Sequence, residues 1–551
     1  MEKYSALLVA GLLVVLVIQI GAGVLMKSPT FDEPNWLTIG WYITHYWTWQ
    51  GDYHVFMHPP LTFYVHGIPL RLLEWWLDDS LAEPPEGELA DQFPYPYSSI
   101  LPYDTVFVVA KMCMLPISLL LIVYTYRWAK QLYGISAGVL AVCLYVCNPW
   151  LIGHATIIGT DLAIACGMFI TLYYFWKFLH EPTLWHSVCT GLALGLTLLT
   201  RVSALLLFPI GLVLGGGVFI GQQFTARSSV SGGRPGFSAL SGRKILIGSL
   251  VLLAIAAFVV EAGYLFDMQP IRAFRPEQEQ DYVFRAFRNI PIPFGAYMNS
   301  IRLPQSFLFW MERSSFMAGR HLTSTVWYYN ALAFLLKNPA PFVIFLLLSF
   351  GLWRQCACKH ALILLLPAGV IFLVFSVWFP VQGFRFVLPI YPFLIVWISR
   401  LVTWDALKRT SARMIFGVLI GWYIVSGLAA MPDYLAYCNE FIGGTEKGHH
   451  WFADADYDWG QDLKRLGQFF QDYQGAPIRL AYFGSGIPEY YNLDVVPLKE
   501  PEGCRPIPGL VAISTTRLQG VYEDNHACYS WLLAYEPIAR IGGTILVYAI
   551  K

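Results

Sequence analysis

Charged residues are scarce in this chain. Asp, Glu, Lys and Arg make up 13% of its 551 residues, about half of the roughly 25% found in an average soluble domain. That deficit excludes an ordinary solvated globule. The 36 basic and 36 acidic residues cancel, so no global charge points to nucleic acid or to an anionic surface as partner, and the placement of the charges carries the information. Internal repeats with paired, Gly/Pro-interrupted spans are missing too, which argues against a secondary transporter, the different-class alternative for such a composition. A non-catalytic envelope scaffold presenting its outer domain is a second alternative. Met1-Glu2-Lys3-Tyr4 is barely basic and no A-x-A site follows the first apolar run, so cleavage as a signal peptide is not expected. Apolar residues, by contrast, are abundant: they form 56% of the chain, and the mean hydropathy is +0.51. The composition is that of a polytopic α-helical membrane protein.

A window of roughly 19 residues finds about eleven apolar runs. They lie near residues 6–26, 105–126, 135–151, 157–178, 185–200, 203–221, 245–262, 340–353, 360–378, 384–399 and 413–430. With a cytoplasmic amino terminus, the inner loops hold Arg127 and Lys130, then Lys177, then Arg227, Arg234, Arg243 and Lys244, then Arg354 and Lys359, then Arg400, Lys408, Arg409 and Arg413. Every short inner loop is then basic, as the positive-inside rule requires. The same count places residues 27–104, residues 263–339 and a carboxy-terminal domain, residues 431–551, outside. Residues 1–430 form the membrane domain. The Ser/Gly-rich inner loop 225–243 reads as a flexible linker.

Cys113, Cys143, Cys147, Cys166 and Cys189 fall within the apolar runs, where cysteine behaves as a small apolar residue. Cys356 and Cys358 share an inner loop, and a lone C-x-C is weak evidence for a metal. Cys438, Cys504 and Cys528 lie outside, where an oxidising compartment permits one disulfide, Cys504 with Cys528 being the expected pair and the connectivity open. In the first outer loop Trp36, Ile39, Ile43 and Tyr46 recur at helical spacing, and interfacial aromatics surround them, so Asn35 to Trp49 reads as an amphipathic helix at headgroup level. His58-Pro59-Pro60-Leu61 turns the chain into a second apolar stretch ending at Leu77, and Glu83-Pro84-Pro85-Glu86-Gly87 reads as a solvated excursion. The carboxy-terminal domain reads as a small α/β unit, with helical spacing from Trp459 to Tyr473 and strand-like runs at Ile478–Phe483, Leu510–Ser514 and Thr544–Ile550.

Asp32 and Glu33 stand where the first apolar run gives way to the outer loop, after Lys27-Ser28-Pro29 closes it. Further on come the HPPL turn, Thr160-Asp161 near the outer end of the fourth run, Thr200-Arg201-Val202-Ser203-Ala204-Leu205, Phe384-Arg385-Phe386-Val387-Leu388-Pro389 and Asp458-Trp459-Gly460-Gln461-Asp462-Leu463. In this order they resemble the C-type (GT-C) glycosyltransferase superfamily, more narrowly its protein O-mannosyltransferase and aminoarabinose transferase branch. The resemblance covers the whole membrane part and implies an integral protein of a bacterial inner membrane. It implies a sugar donor on a polyprenyl phosphate in the outer leaflet and a hydroxyl acceptor on a protein, lipid or glycan, with no cofactor required.

That chemistry explains the residue types. An alcohol is a poor nucleophile at neutral pH, so a carboxylate must take its proton as the anomeric carbon is attacked. The resemblance assigns this role to Asp32, with Glu33 as neighbour or positioner. A polyprenyl phosphate leaves as a stable anion, and nearby cations stabilise it. Arg201 and Arg385 fit that part, because a guanidinium holds phosphate oxygens through parallel hydrogen bonds.

Each candidate has a plainer reading. Asp32 precedes Pro34 as a helix cap would, and Asp161 follows Gly159-Thr160 in the same way, whereas its functional reading is a second carboxylate facing Asp32. Arg201 could snorkel at the interface. His58 divides evenly between substrate or phosphate contact and capping its own turn. The arginines of the second outer segment, Arg272, Arg275, Arg285, Arg288, Arg302, Arg313 and Arg320, read either as a solvated surface or as a lid on the anionic carrier, with Arg320 and His321 nearest the family-like aromatic segment. No metal is expected: Asp454-Ala455-Asp456-Tyr457-Asp458 mimics the first half of a calcium loop, but Trp459 replaces the required Gly and Arg465 the required Glu.

Overall fold

The computed structural model describes residues 2–47, 58–77, 101–228, 242–270, 293–301, 315–322, 326–351, 360–378, 381, 383–473 and 475–551. The Glu83–Gly87 excursion, Trp49, Cys356 and Cys358, the linker stretch 229–241, and Arg272, Arg275, Arg285, Arg288, Arg302 and Arg313 lie outside the described residues.

The apolar runs fall on helices of three kinds. Five helices are long and apolar enough to cross a bilayer: Tyr4–Met26, Tyr103–Tyr133, Asp161–His180, Gly242–Gly263 and Thr410–Ala429. Two further spans exist if each bent pair is counted as one, Ile135–Val146 with Pro149–Ala155 at 66° and Tyr329–Leu336 with Ala340–Gly351 at 112°. The remaining runs give the shorter apolar helices Leu184–Leu198, Val202–Gly217, Ala361–Val377 and Ile390–Thr403. Among the described residues the structure therefore carries five to seven spans by length and composition, against the eleven expected from hydropathy. The difference is the four shorter helices, which a hydropathy window registers as apolar without measuring their helical length.

Both breaks have local causes. Asn148 ends one helix and starts the next by accepting from the Leu151 amide at 3.0 Å, with Pro149 in the first helical position. Lys337-Asn338-Pro339 interrupts the other pair. The two breaks meet, since Asn148 donates to Asn338 Oδ1 at 3.1 Å and Asn338 donates to the Phe334 carbonyl and the Tyr391 hydroxyl, each at 2.8 Å. Irregular backbone at membrane depth is tolerated where protein groups satisfy it in this way.

The first helix ends at Met26, and the carboxy-terminal region clamps the segment beyond it. Ser28 donates its amide to Gln461 O at 3.0 Å, Phe31 donates to Trp459 O at 2.9 Å, and Lys27 pairs with Asp433 and, at 2.7 Å, with Asp462. The amphipathic helix expected over residues 35–49 is Glu33–Tyr46, stopped at Trp47 in the left-handed region (φ 48°).

An antiparallel hairpin, β1 Ser315–Met317 with β2 Arg320–Leu322, lies within residues 263–339. Toward the carboxyl terminus five more strands follow: β3 Ile478–Ala481, β4 Val495–Pro497, β5 Gly509–Ser514, β6 Ala539–Ile541 and β7 Ile545–Ile550. They form a mixed sheet in the order β4-β3-β5-β7-β6. The strand β3 runs parallel to β4 and β5, while β7 runs antiparallel to β5 and β6. Alternation sends Val511 and Ile513 into one apolar cluster and Ala512 into another, so both faces of the centre are covered. The three strand-like runs of the sequence coincide with β3, β5 and β7. The edge strands β4 and β6 have three residues each, too few to show a period of two. The helix expected over residues 459–473 contracts to Leu463–Phe469, because the preceding residues turn repeatedly to place aspartates.

Cys504 and Cys528 are joined, 24 residues apart in sequence. Replacing both with Ser should lower the stability of the carboxy-terminal region by about 3 kcal/mol, the loop-closure value for a ring of this size. Trypsin digestion with and without the bridge would measure it, and an unchanged cleavage rate would refute it.

Candidate active site

Five separated candidates converge: Asp32, His58, Asp161, Arg201 and Arg385. Asp32 occupies the N-cap position of Glu33–Tyr46, but its side chain makes no capping hydrogen bond. It faces Arg385 instead, Nη1 to Oδ2 at 3.3 Å. Asp161 opens the helix Asp161–His180, where a carboxylate suits the helix dipole, and its Oδ1 accepts from Arg201 Nη1. His154 Nδ1 lies 3.9 Å from the other Asp161 oxygen. Arg201 and Asp161 are 8% and 6% exposed, so neither is a residue snorkelling into water.

Both cations lie against one ring. The Arg201 guanidinium sits 4.1 Å from the centroid of Phe386 and the Arg385 guanidinium 5.6 Å from it, while Arg385 also lies 4.5 Å from Trp459. The negative faces of the aromatic rings offset the repulsion between two like charges held this close. Arg385 Nε is buried with no hydrogen-bond partner, as are His58 Nδ1 and both ring nitrogens of His154. Buried polar atoms are nearly always paired, so donors left open in this place are suited to the oxygens of an anion. His58 stacks on Trp36 at 5.0 Å. Burial, reinforced by the Arg201 and Arg385 charges against the pull of Asp161, lowers its pKa to about 3. The imidazole is therefore neutral at ordinary pH and can act as a hydrogen-bonding group but not as a cation.

The carboxylates of the DADYD segment go to different partners. Asp454 accepts from the Tyr522 hydroxyl. Asp456 accepts from the Tyr329 hydroxyl and from the Phe384 amide at 2.8 Å. It thereby fixes the turn that carries Arg385, and Lys337 donates to the Asp456 carbonyl from beneath. Asp458 accepts from the Thr516 amide at 2.9 Å and the Thr515 hydroxyl at 3.3 Å, and burial pushes its pKa up to about 7. Beyond the segment, Asp462 takes Lys27 and the Thr544 hydroxyl, each at 2.7 Å. These aspartates tie their stretch of chain to the membrane part on one side and to the carboxy-terminal region on the other. Sequence reasoning missed Asp454, Asp456, Lys337 and His154 as groups around the site. The density of aspartates in a chain that otherwise avoids charge was the available signal.

Three expected residues do not join the group. Glu33 is 1% exposed and its carboxylate has other partners than the Asp32 site. Its carboxylate accepts from the amides of Thr30 at 2.7 Å and Ile158 at 2.8 Å and pairs with Lys111 at 3.0 Å. With three donors already on it, Glu33 anchors the loop and is not placed as a second reacting carboxylate. Arg320 and His321 lie on the β1–β2 hairpin, which packs on the carboxy-terminal region: Phe316 clusters with Ala453 and Val521, and His321 stacks on His526 at 3.9 Å. Arg320 is exposed on the turn side.

Residues 103–230 match the family model of dolichyl-phosphate-mannose-protein mannosyltransferase. No curated protein matches the sequence. In three dimensions the chain is similar to ArnT from Cupriavidus metallidurans bound to undecaprenyl phosphate, with 12% identity and a TM-score of 0.51 over 99% of this chain and 98% of that one. It is also similar to an Archaeoglobus fulgidus oligosaccharyltransferase solved with zinc and sulfate, with 16% identity and a TM-score of 0.40 over 90% of this chain and 58% of that one. Similarity to the S. cerevisiae protein O-mannosyltransferase Pmt1-Pmt2 complex bound to its sugar donor has 18% identity and a TM-score of 0.33, covering 48% and 33% of the two chains. At 12% identity the likeness to ArnT is one of fold.

Proposed function

We propose that this chain, an integral membrane protein with the fold of the GT-C glycosyltransferases, transfers a sugar from a polyprenyl-phosphate donor to a hydroxyl group at the outer face of a bacterial inner membrane. In this reading the amino terminus is cytoplasmic and the carboxy-terminal region extracytoplasmic, which the distribution of basic loops supports. The observation that carries the reading is one partly exposed carboxylate, Asp32, paired with Arg385, whose Nε is an unclaimed buried donor, and a second guanidinium, Arg201, against the same Phe386 ring.

The acceptor oxygen attacks the anomeric carbon from the face opposite the phosphate. As the new C–O bond forms, the bond to the phosphate oxygen breaks, its electron pair leaves with the phosphate, and the hydroxyl proton passes to Asp32, so the configuration inverts. Arg385 and Arg201 stabilise the charge that develops on the departing oxygens. Asp161 holds Arg201 in position. The donor sugar and the acceptor, whether on protein, lipid or glycan, are set by pocket shape and not by these charges.

The test offers the detergent-purified protein a series of undecaprenyl-phosphate-linked hexoses and pentoses with membrane extracts as acceptor. Release of undecaprenyl phosphate is expected with at least one donor. A protein that neither binds undecaprenyl phosphate nor releases it from any donor would sink the reading.

A further inference from the structure

We propose that Asp454, carried by the carboxy-terminal region, is a positioning residue of the active site: it holds the Arg385 side of the carrier-phosphate site and takes up a proton when the phosphate binds. This rests on the proposed polyprenyl-phosphate chemistry.

The geometry comes first. Asp454 sits in the left-handed region at φ 52°, a conformation that costs a non-glycine residue free energy and persists only where its surroundings fix it. Two contacts fix it. Its amide donates to Thr516 Oγ1 at 2.9 Å, and its carboxylate accepts from the Tyr522 hydroxyl. Tyr522 is itself fixed by stacking on Phe483 at 5.0 Å, and Phe483 stacks on Phe31 at 5.1 Å, the residue before Asp32. Ser485 donates to the Phe31 carbonyl at 2.6 Å. The carboxy-terminal region therefore builds a wall of rings and hydrogen bonds directly onto the segment carrying the base, and Asp454 is the acidic group in that wall. Two residues on, Asp456 holds the Phe384 amide at 2.8 Å, which seats the turn bearing Arg385 beside it.

The groups facing Asp454 are Tyr522 from the loop after Thr515–Leu518, Arg385 from the Phe384–Val387 turn, Asp32 from the head of Glu33–Tyr46, and Tyr329 from its helix by way of Asp456. The charges do not balance. Arg201, Arg385 and Lys337 face Asp32, Asp161, Asp454 and Asp456, and His58 is neutral. With all four carboxylates ionised, an incoming phosphate meets a site with more negative than positive groups. Asp454 is the member able to relieve this. Burial raises its pKa to about 6, with the Asp32 charge adding to the rise and the Tyr522 hydrogen bond and Arg385 opposing it. An approaching phosphate raises its proton affinity further. Protonated Asp454 still bonds to Tyr522, so the wall is kept while one negative charge is removed, and Arg385 is left to the phosphate.

The test measures the affinity of the full-length protein for undecaprenyl phosphate by native mass spectrometry or intrinsic Trp fluorescence, from about pH 5 to pH 8, in wild type and in Asp454→Asn. A phosphate monoester titrates in this range, but equally in both proteins, so the ratio of affinities isolates Asp454. Below about pH 6 wild type carries a neutral Asp454 and the ratio should be near one. Above it Asp454→Asn should bind about tenfold more tightly, the effect of removing one like charge close to the ligand. Tyr522→Phe keeps the carboxylate but deletes its donor, so the break in the ratio should move to higher pH. A ratio independent of pH, or weaker binding by Asp454→Asn throughout, overturns the role of Asp454 while leaving the transferase reading in place. Absence of binding by wild type at every pH overturns both.

Discussion

Replacing Asp32 with Asn should lower the rate of sugar transfer by about 10²- to 10⁴-fold, the range a positioned general base contributes. The fold should barely respond. The Asp32 side chain is one-third exposed, makes no capping bond and meets Arg385 at 3.3 Å, so its loss resembles that of a surface ion pair, worth about 0 to 1 kcal/mol. The same substitution should not weaken undecaprenyl phosphate binding, because Asn no longer competes for Arg385. The combination is diagnostic: kcat falls, carrier affinity holds or rises, and the thermal midpoint is retained. Transfer at the wild-type rate would remove Asp32 from the mechanism. Loss of carrier binding together with rate would show that Asp32 shapes the site and does not take the proton. Release of polyprenyl phosphate under single-turnover conditions separates these outcomes, since it isolates chemistry from product release.

How much of this was legible in the sequence depends on whether the controlling interaction is local. Apolar runs, the turns that break them and the acidic pair after the first helix are local, and they place Asp32, Asp161, Arg201 and Arg385 at helix ends on one face. Their convergence is not local: Asp32 and Arg385 are 353 residues apart, and no periodicity reports such a contact. The eleven apolar runs each meet a helix or a bent pair, but helix length was not legible: four of them give helices of 10–17 residues, and Asn148 and Lys337-Asn338-Pro339 bend two others. The DADYD segment could be set apart from a calcium loop by the residues at two positions, yet its actual use could not be read. Its aspartates bind the Phe384 amide, the Thr516 amide and the Tyr522 hydroxyl, all distant in sequence. Arg320 and His321 show the opposite error: basic residues near aromatic ones looked like ligands for an anion, but their hairpin packs against His526 and Ala453.

Replacing Glu33 with Ala should have the reverse signature of Asp32→Asn. Glu33 and Lys111 are 1% and 2% exposed, and removing one partner of a buried ion pair costs about 3 to 5 kcal/mol because the other charge is left uncompensated. Two amides, those of Thr30 and Ile158, lose their acceptor at the same time. Ile158 lies just ahead of Asp161, so the loss should also loosen the loop that delivers Asp161 to Arg201. Combining Glu33→Gln with Lys111→Met should recover part of the stability, since the single Gln oxygen can still accept from one of the two amides and Met leaves no buried charge. The measurement is thermal unfolding of wild type, the two single variants and the double variant in one detergent, which gives a coupling energy between the pair. A double variant no more stable than the sum of the single losses would mean that the pair is not the anchor. A Glu33→Ala protein that melts with wild type but has lost transfer would return Glu33 to the chemistry. Two neighbouring carboxylates can differ this sharply because helix geometry sends adjacent side chains to different faces. At this turn one face meets Arg385 at the partly open site, and the other meets a buried lysine with its donors already placed.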